Sequence, residues 1–121
     1  MNITDPRYIG PGIWILFHSR SYRANTKENI QKCIDFIVDT CENFPCEHCR
    51  EHAIKYITEY PPSKFSSYIH AENDIGLFMW TVIFHNAVNA RLKKNIMSIV
   101  KAIELYSSLG DSCDTACTES G

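Results

Sequence analysis

Residues 74–94 read DIGLFMWTVIFHNAVNARLKK. In the first half of this stretch Ile75, Leu77, Phe78, Met79, Trp80, Val82, Ile83 and Phe84 place apolar side chains on every side of a helical wheel. A helix that is apolar all round must be enclosed by other elements, so the stretch predicts a central helix from about Asp74 to Leu92. The second half changes character. His85, Val88, Asn89 and Leu92 fall at i, i+3, i+4 and i+7, one face that mixes planar hydrogen-bonding groups with aliphatic ones.

The elements needed to enclose that helix are legible on either side of it. Gly10-Pro11-Gly12 breaks the chain entry, after which Ile13, Trp14, Phe17, His18 and Ser21 recur at helix-face spacing. Beyond Asn25-Thr26, the residues Ile30, Cys33, Ile34, Ile37, Val38 and Cys41 follow a period of 3.6. Pro45 separates that second helix from a third, running from about Cys46 to Glu59 with Ala53, Ile54, Tyr56 and Ile57 as its apolar members. Tyr60-Pro61-Pro62 stops it, and Ser63 to Asn73 reads as a polar loop. Ser98 caps a fifth helix with Ile99, Val100, Ile103 and Tyr106 inward. With no strand signal, the fold class is all-α: a four-helix bundle plus a fifth helix. The expected domain covers residues 1–110, followed by a polar, mobile tail over 111–121.

Composition narrows the function. The 121 residues suit one compact core, and the apolar content of 45% is enough to fill it. A net charge of −2 without a basic block argues against nucleic-acid partners and against a polybasic membrane anchor. The start, MNITDPRYIGPG, lacks the pattern of a secretory signal. Six cysteines in such a chain point to redox or metal chemistry sooner than to structural staples.

The cysteine pair in FPCEHCREHA (residues 44–53) is the chemical centre. Cys46 and Cys49 stand one helical turn apart at a predicted helix N-terminus, where backbone N–H groups and the macrodipole favour a thiolate. Zinc is the alternative: Cys46, Cys49 and His52 supply three ligands, and only Cys33, Cys41 or His48 can supply the fourth. Arg50 stands where a haem-attachment motif requires histidine, and no βαβ pattern supports a thioredoxin fold. Elsewhere, Trp14 and His18 lie one turn apart. Each histidine alone reads as an ordinary core or surface imidazole. Two aromatic–histidine pairs together with His85-Asn86 and Asn89 suit the walls of a flat polar heterocycle.

The ordered set GPxxWxxxH (Gly10 to His18), FI…FPCxxC (Phe36 to Cys49) and WxxxxHNxVNxRLxK (Trp80 to Lys94) resembles the Erv/ALR family of FAD-dependent sulfhydryl oxidases. The segment CEHCREHAIKYITEYP is most similar to the short enzymes of large cytoplasmic DNA viruses. The resemblance implies a helical bundle that holds FAD and forms a homodimer. It makes Cys46–Cys49 the redox disulfide, with Cys46 facing incoming thiols and Cys49 facing the flavin. It assigns Gly10, Trp14, His18, His52, Trp80, His85, Asn86, Val88, Asn89, Leu92, Lys93 and Lys94 to the cofactor site. Electrons then pass from protein dithiols, directly or through a thioredoxin-like relay, to dioxygen, giving hydrogen peroxide. The implied location is the cytoplasm, or the host cytoplasm or virion for a viral protein.

Three departures from the family pattern stand out. The cysteines that commonly bridge the neighbourhoods TVIF and NIMSIV are missing, Pro11 replaces an arginine, and Lys93 replaces a glycine. The tail carries Cys113 and Cys117 as CDTAC, read either as an incidental pair or as a shuttle disulfide. Cys33 and Cys41, eight residues apart on one helix, are too distant to bridge each other and read as small buried hydrophobes.

Overall fold

The computed structural model describes residues 6–108, so the tail cysteines Cys113 and Cys117 and the proposed tail boundary lie outside the described residues. In chain order the elements are α1 (Pro6–Arg23), α2 (Lys27–Glu42), α3 (Glu47–Glu59), a 3₁₀ turn (Pro62–Lys64), β1 (Ile69–His70), β2 (Asn73–Asp74) and α4 (Gly76–Arg91). A final helix, α5, occupies 99–108. No helix among them is long and apolar enough to cross a membrane.

The helix boundaries follow local chemistry. Thr26 caps α2 by accepting a hydrogen bond from the Asn29 amide at 3.1 Å. Ser98 does the same at α5 through the Lys101 amide at 3.5 Å, while its carbonyl accepts from the Ala102 amide at 2.9 Å. Two sequence expectations need correction. Gly10-Pro11-Gly12 does not break the chain: α1 runs through it, because Pro11 sits near the helix start, removes one ladder bond and projects into solvent. The loop from Ser63 to Asn73 also contains a strand pair, Ile69 opposite Asp74 and His70 opposite Asn73. Its turn residues, Ala71 and Glu72, both have positive φ, 50° and 69°. Neither is the Asn or Gly that normally announces such a turn, and two-residue strands are too short to show alternation.

The hairpin delivers the chain to α4 through Asp74. Its carboxylate accepts hydrogen bonds from the amides of Tyr68 (3.0 Å) and Gly76 (2.9 Å) and from the Ser67 hydroxyl (2.9 Å). Those bonds, the Tyr68 amide first, hold its carboxyl below the usual range. Gly76 is required where it stands, since a Cβ there would collide with the Ser66 carbonyl and the Phe65 ring.

As expected, α4 is central. Leu77, Trp80 and Phe84 join Phe17, Ile34, Ile37 and Ile57 in one cluster formed by α1 to α4. Phe78, Met79 and Val82 join Ala102, Ile103 and Tyr106 of α5 in a second. Each fully buried Val, Leu, Ile, Phe or Met side chain among them contributes about 1.5–3 kcal/mol. Ile83 is the exception on α4, being half exposed, and on α5 the inner face is Ala102, Ile103 and Tyr106, with Ile99 and Val100 turned to solvent. A 3.6 period leaves the orientation of so short a helix open to the packing surface it meets.

The C-terminus of α4 shows what the lysine at position 93 costs. The Lys94 amide bonds the Asn89 carbonyl (2.8 Å) and the Lys93 amide bonds the Ala90 carbonyl (3.2 Å), a Schellman cap with Lys93 at its left-handed position, φ 59°. Glycine is the residue suited to that conformation. We expect Lys93→Gly to raise stability by about 1 kcal/mol through relief of backbone strain. The check is a higher urea midpoint at unchanged slope; an unmoved midpoint would refute a strained cap.

Candidate active site

The turn Phe44-Pro45 leads into α3 with Cys46 as its N-cap residue, and the Cys46 sulfur accepts from the Cys49 amide at 3.4 Å. The sulfurs of Cys46 and Cys49 face each other at 2.7 Å, so a small side-chain rotation brings them to disulfide bonding distance. Arg50 braces the approach by donating to the Phe44 carbonyl at 2.9 Å. Helix position alone does not make Cys49 a thiolate. Burial, then the hydrogen bond and charge of Cys46, push its thiol up to about 11, while Arg91 pulls the other way.

Beyond the pair, α3 and α4 enclose a cleft of about 160 Å³ lined by His52, Lys55, Tyr56, Glu59, Phe84, Ala87, Val88 and Arg91. It is smaller than a typical whole-ligand pocket, with room for no more than part of a drug-sized ligand. Its floor is aromatic: Tyr56 stacks on Phe84 with centroids 4.5 Å apart and planes within 12°. Of the residues predicted for the site, His52 and Val88 line this cleft. Lys55, Tyr56, Phe84 and Arg91 were missed, although Tyr56 and Phe84 belong to the apolar periods of their helices, a pattern that core and site residues share.

Behind the cleft lies a second assembly, and it joins α1 to α4. Trp14 stacks on His85 at 4.2 Å and 7°, and His18 lies beside both, 5.8 Å from Trp14 and 5.1 Å from His85. The His18 Nε2 is 2.9 Å from the His85 Nδ1, and the His18 Nδ1 is 2.9 Å from the Thr81 hydroxyl. Burial, then the neighbouring His85, bring the His18 imidazole down to about 3; burial, then Lys94, bring His85 down to about 4. Both rings are neutral at neutral pH. Trp14, His18 and His85 are therefore united as the sequence suggested. Lys94 is near enough to act on His85 by its charge, and Asn89 lies half-buried on the same helix face.

Five further predicted residues stand outside both the cleft lining and the Trp14, His18 and His85 group. Trp80 is a core residue, its indole N–H donating to the Tyr60 carbonyl at 3.1 Å with Tyr56 and Phe84 against it. The side-chain amide of Asn86 is engaged by the backbone of Met97, accepting from its N–H at 2.8 Å and donating to its carbonyl at 3.0 Å. Those two bonds tie the approach to α5 onto α4 and leave one N–H and one acceptor lone pair of that side chain for a ligand. Leu92 and Lys93 are exposed in the Schellman turn. Gly10 is half-buried in α1 with nothing within 4 Å of where a Cβ would stand.

The zinc alternative lacks a ligand set: among the described residues no group of three or more His, Cys, Asp and Glu side chains is arranged to hold a metal ion. Cys33 and Cys41 are buried on α2, with thiols pushed up to about 11 and about 12 chiefly by burial, which suits packing and not ligation. His48 instead pairs with His52, their Nε2 atoms 3.2 Å apart.

Compared with known proteins, residues 11–106 match the model of the Erv1/Alr family. The chain belongs to the Erv1/Alr family. This Erv1/Alr chain is 36% identical over 101 residues to an FAD-linked sulfhydryl oxidase of African swine fever virus, covering 80% of the chain and 78% of that protein. It is 30% identical over 115 residues to the FAD-linked sulfhydryl oxidase ERV2 of Saccharomyces cerevisiae, with 93% and 52% covered. The fold is similar to the crystal structure of the yeast Erv1 core, with a TM-score of 0.64 at 21% identity over 86% of this chain and 81% of that one.

Two consequences of the Erv1/Alr site geometry are measurable. Removing Cys46 removes two of the causes that raise the Cys49 thiol, so Cys46→Ser should lower its pKa relative to the reduced wild type, read from thiolate absorbance against pH. An unchanged titration would mean that burial alone sets it. His18 and His85 are depressed in the folded state, so the unfolded chain binds more protons below the free-imidazole pKa of about 6.5. Their contribution to stability is therefore complete above that pH and is lost as pH falls from it toward about 4 and then about 3. Melting temperature should decline over that window, and less so in His18→Asn.

Proposed function

We propose that this chain is an FAD-linked sulfhydryl oxidase that makes disulfides in protein dithiols and passes their electrons to dioxygen. The observation that carries the proposal is the Cys46–Cys49 pair, 2.7 Å between sulfurs at the start of α3, with a cleft opening beside His52 one turn further along. Membership of the Erv1/Alr family and relatives named FAD-linked sulfhydryl oxidases agree with it.

The residues suit FAD by their chemistry. Tyr56, Phe84 and Val88 offer apolar and aromatic faces, and His52, His85 and Asn89 offer polar edges. Arg91 and Lys94 supply cations for a pyrophosphate. FAD supplies a two-electron acceptor that dioxygen reoxidises, giving hydrogen peroxide.

What the chain's own groups do is thiol exchange. A substrate thiolate attacks the Cys46 sulfur, at the N-cap edge of α3, and the Cys46–Cys49 bond breaks with Cys49 as leaving sulfur. Arg91 favours that sulfur as an anion, while burial favours its protonation. A second substrate thiol then attacks the mixed disulfide, releases the oxidised substrate and leaves Cys46 and Cys49 reduced. One substrate disulfide forms for each protein disulfide consumed. Homodimerisation, a thioredoxin-like relay between substrate and Cys46, a shuttle role for Cys113 and Cys117, and action in host cytoplasm or virion complete the proposal by family likeness.

An oxygen electrode tests the core of it. Purified protein should carry FAD and consume oxygen with dithiothreitol, and Cys46→Ser or Cys49→Ser should lower the rate by at least a hundredfold; full activity in either variant would refute the assignment. Replacing Cys113 and Cys117 together with Ser should slow oxidation of a folded protein dithiol several-fold yet spare dithiothreitol oxidation. Rates unchanged from wild type on both substrates would remove the shuttle.

A further inference from the structure

One buried hydroxyl has been given no functional role so far. Thr81 is fully buried in the middle of α4, and its Oγ1 stands 2.6 Å from the Phe78 carbonyl, 2.9 Å from the His18 Nδ1 and 3.4 Å from the Ser21 hydroxyl. A hydroxyl has one proton to give. The Phe78 carbonyl is an acceptor only and is the shortest contact, so Thr81 donates there. Ser21 spends its own proton on the carbonyls of Phe17 (2.7 Å) and His18 (3.1 Å).

The rest follows by counting protons. Thr81 Oγ1 must accept from the His18 Nδ1–H, which leaves the His18 Nε2 bare. That nitrogen, 2.9 Å from the His85 Nδ1, must accept in turn, so His85 carries its proton on Nδ1. With both rings neutral, the His85 Nε2 is left without a proton. We propose that Thr81 is a positioning residue that sets the tautomers of His18 and His85, so that half-buried His85 offers the cofactor a hydrogen-bond acceptor at Nε2. The ligand group it selects is a donor, a sugar or ribityl hydroxyl or an N–H, and not a phosphate oxygen. This rests on the FAD reading above for the identity of the ligand, but not for the tautomers.

The contrast between Thr81→Val and Thr81→Ser tests it. Valine keeps the shape and removes the hydroxyl. The His18 Nδ1–H would then face methyl groups, so His18 should move its proton to Nε2 and drive His85 to the Nε2–H form; serine should preserve the wild-type state. Two-bond ¹H–¹⁵N spectra of the full-length protein with labelled histidine read each tautomer directly. The expected result is Nδ1–H on both rings in wild type and Thr81→Ser and Nε2–H in Thr81→Val. FAD should then bind Thr81→Val about tenfold more weakly, the loss of roughly one hydrogen bond, with affinity restored in Thr81→Ser. An Nε2–H signal from His85 in the wild type overturns the proposal even if the valine variant does not fold, as do wild-type tautomers in Thr81→Val. Tautomers as stated in a protein without affinity for FAD would support the positioning role and sink the oxidase reading alone.

Discussion

The burial of α4 on two opposite faces is the constraint from which the remaining geometry follows. Leu77, Trp80 and Phe84 press toward α1, α2 and α3, while Phe78, Met79 and Val82 press toward α5. A helix held on both sides has little freedom to rotate or slide, since each displacement would expose large side chains on one face and overpack the other. That rigidity fixes where the polar end of the same helix emerges. His85 leaves the core next to Trp14, and Val88 and Arg91 emerge beside α3.

Against this fixed wall, α3 presents its first turn. Helix N-termini leave amide donors unpaired, and here the Cys46 sulfur takes one of them, which ties the orientation of the redox pair to the start of the helix. Cys49 and His52 follow at successive turns along the side that meets α4, where Arg91 acts on Cys49 by its charge. The site is thus divided between two helices distant in sequence: sulfur chemistry on α3, stacking and hydrogen-bonding surfaces on α4 and α1. The Trp14, His18 and His85 rings close the space between α1 and α4, and the hydroxyls of Thr81 and Ser21 satisfy the polar groups that this closure buries.

Much of this was readable because single residues carry single physical meanings. Thr26 and Ser98 announce helix starts, and the continuous apolar run from Leu77 to Trp80 can only be central. Cys46 and Cys49 face each other once a helix starts just after Pro45. Other residues have two meanings that spacing does not separate. Trp80 and Asn86 read as ligand contacts in the motif, and the structure gives each a packing role as well: one fills the core and the other holds Met97. Ala71 and Glu72 make a tight turn without turn-forming residues, because the pairing of Asp74 with the amides of Tyr68 and Gly76 holds them in it.

What the linear order of residues determined by itself is local: which segments coil, where they start, which thiols share a turn and which helix must be innermost. Those properties depend on neighbours within a few positions, so hydrogen-bond patterns and a 3.6 period are enough to state them. Only the tertiary structure decided that Tyr56 stacks on Phe84 at a cleft floor, that Thr81 touches His18, and that Arg91 rather than Lys93 lines the cleft beside the sulfur pair. These contacts join residues 28 and 63 positions apart in two of the three cases, counted from the residue numbers. Their existence depends on how α1, α3 and α4 rotate against one another, which shape and volume settle only once the whole core is packed.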